Sequence, residues 1–261
     1  MIGIIGGSGL EGPKLFSGFE EKKISTPFGN PSSAIAFGKI GKTAVAVLSR
    51  HGKNHSINPS NVNYRANIWG FKELGVTHIL AASACGSLRE KISPGDLVVP
   101  DQFIDWTTKR ETSFFDKEKV AHIPMAKPFC GVLSKIFFET GRKLGFKIHG
   151  KGTVVTIEGP RFSTKAESLM FRSFGADIIN MTTVPECVLA REAGICYSVI
   201  AMATDYDSWR SHDESVTIGI VLKLMKENAG KVKNIFADAL PKIPKKRLGC
   251  SCETDIKSAI I

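Results

Sequence analysis

Ile195–Trp209 reads ICYSVIAMATDYDSW, an apolar run that stops abruptly at an acidic turn. From Ile195 to Ala203 the side chains are apolar or small and rich in β-branched and aromatic types, and Gly194 precedes them. A strand covered on both faces needs no polar alternation, so the stretch predicts a buried strand of an α/β sheet. Ligands of open α/β sheets collect outside the carboxyl ends of the strands. Thr204, Asp205, Tyr206 and Asp207 stand at that end here. Alternate residues of an extended chain point the same way, so Asp205 and Asp207 share a face if the extension persists. Such a pair accepts hydrogen bonds from an amino group, or holds a proton for a leaving group where burial raises one pKa. A solvated acidic loop is the competing reading of the same residues.

The 261-residue chain is 43% apolar and 23% charged, the balance of a globular protein with a packed core. It has no internal repeat, linker or low-complexity tract, which predicts one domain. No apolar run approaches a membrane span, and the opening MIGII lacks the basic segment and apolar core of a signal peptide. A cytoplasmic protein without a membrane partner is the expectation. The formal charge of +10 raises the question of nucleic acid, but the Lys and Arg are scattered apart from Pro244-Lys245-Lys246-Arg247. A small anionic substrate or a charged surface explains the balance at least as well, so no nucleic-acid partner is expected. A single Gln, Gln102, among many charged residues leans towards a heat-adapted source. Cys85, Cys130, Cys187, Cys196, Cys250 and Cys252 show no C-x-x-C spacing, which argues against a zinc site. His51 and His55 are four apart but lack the Glu of a zincin, so no metal is expected there either. The thiols are free in a mesophilic cytosol; intracellular disulfides are an exception found in hyperthermophiles.

Residues 2–5 predict a first strand, ending in Gly6-Gly7-Ser8-Gly9-Leu10-Glu11-Gly12. Gly7, Gly9 and Gly12 satisfy the dinucleotide fingerprint as a pattern, yet no clear amphipathic helix follows and no acidic residue ends a second strand to grip a ribose. What survives is a glycine-rich turn offering backbone N–H groups and the Ser8 hydroxyl to an anion. Residues 34–37 and 43–48 predict a hairpin that runs into Ser49-Arg50-His51. A guanidinium fork matches oxyanion geometry, so this strand end suits phosphate. Tyr64, Ile68, Phe71 and Leu74 recur at helical spacing until Gly75. A strand over 76–82 then ends in Ser83-Ala84-Cys85-Gly86-Ser87, which reads equally as an anion-binding turn and as a plain β-turn.

Residues 106–125 predict a long irregular loop with Phe114, Phe115 and His122, the kind that binds ligands or neighbouring subunits. A helix over 128–144 and a strand over 152–157 lead to Glu158-Gly159-Pro160-Arg161-Phe162-Ser163. Thr164 with Glu167, and Thr183 with Glu186, read as capping boxes of two further helices. Thr182, after a strand over 176–180, then lies beside a helix N-terminus, where phosphate is electrostatically favoured. A last helix is expected from about 214 to 228, and after it a basic, Cys-containing and partly mobile tail.

In this order, the strings GGSGL, SRHGKNH, NYRANIWG, SACGSLRE, PGDLVVPDQFIDWTT, HIPMAKPFC, TIEGPRFSTKAES, INMTTVPE and AMATDYDSW resemble the trimeric purine nucleoside phosphorylases. Within that family the resemblance is to the 5′-methylthioadenosine phosphorylases, and it covers most of residues 1–225. It implies a single α/β domain, residues 1–240, with a mixed, partly barrel-like sheet flanked by helices, and a tail over 241–261. It further implies a trimer or dimer of trimers, and inorganic phosphate as co-substrate with no organic cofactor or metal. By motif, Ser8, Arg50, His51, Ser83, Thr182 and the backbone N–H of Ala84 would hold phosphate. Met181 would lie under the ribose, Phe162 and Ser163 beside the purine, and Asp205 and Asp207 at its N7 and 6-amino edge. His55, Ile218 and Val221 would surround a 5′-methylthio group, and His122 resembles a residue lent across the subunit interface.

The reaction so implied is phosphorolysis of 5′-methylthioadenosine; the alternative is action on adenosine or 6-oxopurine nucleosides, whose enzymes carry an Asn in the Asp205–Asp207 region. A hydrolase and a basic nucleic-acid-binding protein are the more distant rivals. Cys250-Ser251-Cys252 resembles the redox-type tails of thermophilic members, and with it comes a Cys130–Cys196 pairing.

Overall fold

The apolar run forms β11 (Cys196–Asp205), buried along its length except at half-buried Asp205. Tyr197, Val199, Ala201 and Ala203 face one core, while Cys196, Ile200 and Met202 face a second on the other side. Period-two alternation therefore serves two apolar layers at once, and the one polar side chain within the run, Ser198, is buried with its hydroxyl 2.9 Å from Ser134 Oγ. A computed structural model describes residues 1–7, 19–116, 118–210, 218–247 and 249–261.

β11 runs parallel to β5 (His78–Ser87), in register from Cys196↔His78 to Ala203↔Cys85. Asp205 then pairs with Gly86, so Thr204 is an extra residue in the ladder. A bulge of this kind bends the strand and re-aims the side chains beyond it. β5 is the branch point of an eleven-stranded mixed sheet. Its first half lies beside β1 (Ile2–Gly6), which continues through β4 (Thr43–Ser49) and β3 (Ile35–Ile40) to the edge strand β2 (Glu20–Lys22). Its last residues pair instead with β10 (Ile178–Asn180), next to β9 (Thr153–Ile157) and β7 (Gln102–Trp106). On the far side of β11 lie β6 (Leu97–Val98) and β8 (Ile148–His149).

One core packs α1 (Tyr64–Glu73) against α4 (Thr183–Glu192) through residues such as Ile68, Phe71 and Leu189. The other packs α2 (Gly131–Lys143) against α5 (Ile218–Ala239) through Leu133, Phe137, Val232 and Phe236. α3 (Lys165–Ser173) sits against the turn after β11, and its Thr164–Glu167 capping box is present in full. Among the described residues, no helix is long and apolar enough to cross a membrane.

Four expectations change. The predicted turn at 83–87 is strand, because β5 changes partner from β1 to β10 instead of stopping. The Thr183–Glu186 capping box does not form: Thr182 is the cap position, Val184 is extended (φ −106°, ψ 133°), and the Glu186 carboxylate is taken by Arg50. The final helix runs on to Ala239, and the tail beyond it is docked: Ile243, Cys252 and Ala259 are buried, Arg247 pairs with Glu253 at 2.8 Å and Arg191 with Asp255. The tail also receives the 106–125 loop, through an Ala121–Ile260 bridge and a His122 N–H donated to Ala259 O at 2.8 Å. Finally, the Cys130–Cys196 disulfide is not formed; all six cysteines are free, and these two sulfurs meet Cys250 and Cys252 in one cluster.

Candidate active site

The ends of β4, β9, β10 and β11, with the second half of β5, enclose a cavity of about 430 Å³. That is a volume suited to a small organic ligand. Arg50, His51, Ser83, Ala84 and Thr182 line it. His55, Phe162, Ser163, Met181, Asp205 and Asp207 also line it. Basic, hydroxyl-bearing and carboxylate groups thus line one space. Ser8 lies outside the described residues, as do the side chains of Ile218 and Val221 at the start of α5. His122 does not line the cavity of its own chain; it is exposed on the loop joined to the tail.

In the basic corner, Arg50 comes directly after β4 and is 1% exposed. Its Nε donates to both Glu186 oxygens at 2.9 and 3.0 Å, and Nη2 to Oε2 at 2.7 Å. Nη1 donates to Ala82 O at 2.8 Å. Burial alone would pull its pKa down, but the Glu186 charge and hydrogen bonds outweigh it and hold Arg50 above its ordinary value. A guanidinium carries five N–H donors. Those contacts leave one N–H on each terminal nitrogen for an anion in the cavity. Glu186, which the local sequence pattern marks only as a cap, is the group that aims this fork.

Gly7, after β1, allows the approach: a Cβ there would stand 2.5 Å from Arg50 Nη1 and 3.0 Å from Ala82 O. Gly7→Ala therefore displaces the guanidinium. The expected cost is about 1–3 kcal/mol of overpacking, read as a lower urea midpoint together with a raised KM for phosphate. A variant as stable as the parent, with unchanged KM, contradicts this packing.

His51 is buried, and its Nδ1 lies 2.9 Å from Ile57 O. A carbonyl only accepts, so Nδ1 carries the proton and Nε2 is an acceptor. Burial, and then the Arg50 charge, push the His51 pKa down to about 4, so the ring is neutral near pH 7. It contributes an acceptor for a phosphate or ribose hydroxyl, not a second cation. Its ring stacks on His55 at 4.3 Å.

The hydroxyls form a chain. Ser83 Oγ lies 3.0 Å from Thr182 Oγ1 and receives Asn180 Nδ2 at 3.1 Å. Asn180 also donates to Thr183 Oγ1 at 2.6 Å and accepts from Thr156 Oγ1 at 3.0 Å. Asn180 thus orients the Ser83 hydroxyl in the lining and, through it, that of Thr182. Sequence reasoning passes over it, although a polar residue closing an apolar strand is the same signal that marks Thr204 and Asp205.

In the acidic corner, extension does not persist to Asp207, which has φ 49° and opens a short 3-10 turn. The bulge at Thr204 nevertheless brings both carboxylates to the cavity. Asp205 accepts from Thr204 Oγ1 and from the Asp207 N–H, each at 2.7 Å. Burial raises its pKa, and the neighbouring Asp207 charge adds to that, against the lowering effect of the two hydrogen bonds. Asp207 receives the Ser163 hydroxyl at 2.7 Å, so Ser163 orients a carboxylate from within the lining. Gly86 leaves room for both acids, since a Cβ there would meet Asp205 Oδ1 at 3.0 Å and Asp207 Cβ at 3.1 Å. Met181 forms part of the wall beside Gly159, whose φ is +70° and where a Cβ would stand 2.6 Å from Met181 Sδ, so no side chain fits. Met225 of α5 joins the lining, and Phe162, also in the lining, is 75% exposed.

Residues 1–241 match the family model described as the phosphorylase superfamily. An S-methyl-5′-thioadenosine phosphorylase of Xenopus tropicalis is 57% identical over 93% of this chain and 88% of its own length. The protein of the same name from Thermococcus kodakarensis is 52% identical over 100% of this chain and 99% of its own. A mutant adenosine/methylthioadenosine phosphorylase of Schistosoma mansoni, solved with methylthioadenosine, superposes with a TM-score of 0.92 at 41% identity, covering 99% of this chain and 97% of that one. With matches of that extent, the chain belongs to the phosphorylase superfamily.

Proposed function

We infer that this protein is a pentosyltransferase that cleaves the N-glycosidic bond of 5′-methylthioadenosine with inorganic phosphate, giving adenine and 5-methylthioribose 1-phosphate. The observation that carries the reading is one cavity lined by Arg50, Ser83 and Thr182 together with Asp205 and Asp207. Phosphate is held by the two remaining Arg50 N–H groups, the Ser83 and Thr182 hydroxyls and the His51 acceptor, on one face of the ribose. Its oxygen bonds to C1′ as the bond from C1′ to N9 breaks, and the electron pair leaves with adenine. The oxyanion stabilises the positive charge that develops at C1′, and fixed positioning supplies much of the acceleration. Asp205, whose pKa burial raises, gives its proton to N7 so that the base departs neutral. Asp207, held by Ser163, accepts the 6-amino group.

An amino group needs an acceptor, so the carboxylate pair favours 6-aminopurines. Adenine-releasing turnover on methylthioadenosine is expected to exceed turnover on inosine at least about tenfold, the scale set by an unpaired polar contact. Equal rates on the two, measured side by side with phosphate, contradict the substrate assignment. We further propose self-association: Trp106, Phe162, Leu169 and Phe174 are each 45% or more exposed. The Trp106 and Phe174 rings lie 6.2 Å apart, and a contiguous exposed apolar patch marks an interaction surface. Light scattering that returns a monomer at micromolar concentration contradicts it.

A further inference from the structure

Cys130, Cys196, Cys250 and Cys252 are scattered in sequence, yet their four sulfurs all lie within 4.8 Å of one another. Two belong to the rigid body. Cys130 caps the N-terminus of α2 with its N–H on Tyr197 O at 2.8 Å, and Cys196 opens β11 with its N–H on Thr77 O at 3.1 Å. The other two come from the docked tail. Cys250 Sγ approaches Cys196 Sγ to 3.5 Å, and Cys252 Sγ receives an N–H from Arg191 at 3.3 Å. Three of the four are buried, and none lines the catalytic cavity.

We propose that these four cysteines form a thiolate site for one zinc ion, which fastens the C-terminal segment to the body. Zinc–sulfur bonds of about 2.3 Å in a tetrahedron place sulfurs about 3.8 Å apart, so the widest separation here closes by about 1 Å. Disulfides join sulfurs in isolated pairs, whereas here each sulfur is near all three others, and tetrahedral S₄ coordination is what zinc takes.

A cysteine binds zinc as its thiolate, so each thiol gives up its proton on binding. Zinc binding releases those protons to solvent and leaves four zinc–sulfur bonds of net charge −2. Arg191, on a cluster sulfur, offsets that charge and supplies the hydrogen bond that metal-bound thiolates use.

The test is a titration of the whole chain, purified reduced and without oxygen, with Zn²⁺ alone and with Co²⁺ alone. One equivalent of zinc per chain is expected, together with sulfur-to-cobalt charge-transfer absorption and the visible bands of tetrahedral cobalt. Zinc should raise the thermal midpoint and a chelator should reverse the rise. Cys250→Ser, at the least buried ligand, should weaken zinc binding at least about tenfold, while Cys187→Ala, outside the cluster, should not. Wild-type protein that takes up no zinc and shows no such absorption overturns the assignment without any variant having to fold. So does mass mapping of protein purified anaerobically without added reductant that finds disulfides among the four.

Discussion

Replacing Asp205 by asparagine lowers kcat/KM for methylthioadenosine by about a hundredfold, or about 2.7 kcal/mol of transition-state stabilisation. The substitution is nearly isosteric, and the loop tolerates it. The amide oxygen still accepts the Asp207 N–H, and Thr204 Oγ1, which also reaches Cys85 O at 3.2 Å, turns to accept from the new amide nitrogen. That nitrogen still donates a hydrogen bond to N7, so binding persists while the transferable proton is gone, and the loss falls on kcat more than on KM. The pH profile carries the second half of the prediction. Burial raises the Asp205 pKa, so the acid form survives to higher pH than in an ordinary aspartate. Wild-type kcat at saturating phosphate should decline on the alkaline side as that proton is lost, and the limb should be missing in Asp205→Asn. Unchanged turnover, or a limb shared by both proteins, removes Asp205 from the acid role.

Glu186→Ala is expected to cost about 3–5 kcal/mol of stability, the penalty for leaving a buried charge without its partner. Arg50 and Glu186 are each 1% exposed, and three donor contacts of 2.7 to 3.0 Å join them. The pair itself need not stabilise the fold, since desolvation of two ions offsets their attraction. A double variant, Arg50→Met with Glu186→Leu, should therefore recover most of the stability in urea melts. It should not recover activity, because the N–H donors for phosphate are gone and KM for phosphate rises with them. A stable single variant, or a double variant with normal phosphate kinetics, contradicts the role given to this pair.

The chemistry of Asp205 is legible in the sequence because it ends a run of apolar and small residues, and burial on both faces leaves that run no other place in an α/β sheet. Arg50 and Thr182 are legible for the same local reason, as polar residues after apolar strands. Glu186 is not, because its carboxylate meets a residue 136 positions away and a local pattern, Thr183 to Glu186, offers a capping role instead. Its position inside the buried stretch VPECVLA, however, already requires a partner for its charge. Local reading cuts β5 short at Ala82 because Ser83 to Ser87 carry turn-like residues; pairing with β10 and β11 overrides that preference. The thiol cluster cannot be read from spacing at all, since Cys130, Cys196 and the tail are brought together only by the packing of α2, β11 and the last residues.

The most direct test of the shared cavity is the rate of adenine release from methylthioadenosine measured with and without inorganic phosphate. Phosphate in the basic corner predicts release that depends strictly on phosphate, saturates with it, and yields one sugar 1-phosphate for each adenine. Release at the same rate in phosphate-free buffer, with the free sugar as product, would place water where Arg50 and Thr182 face the ribose and contradict the account.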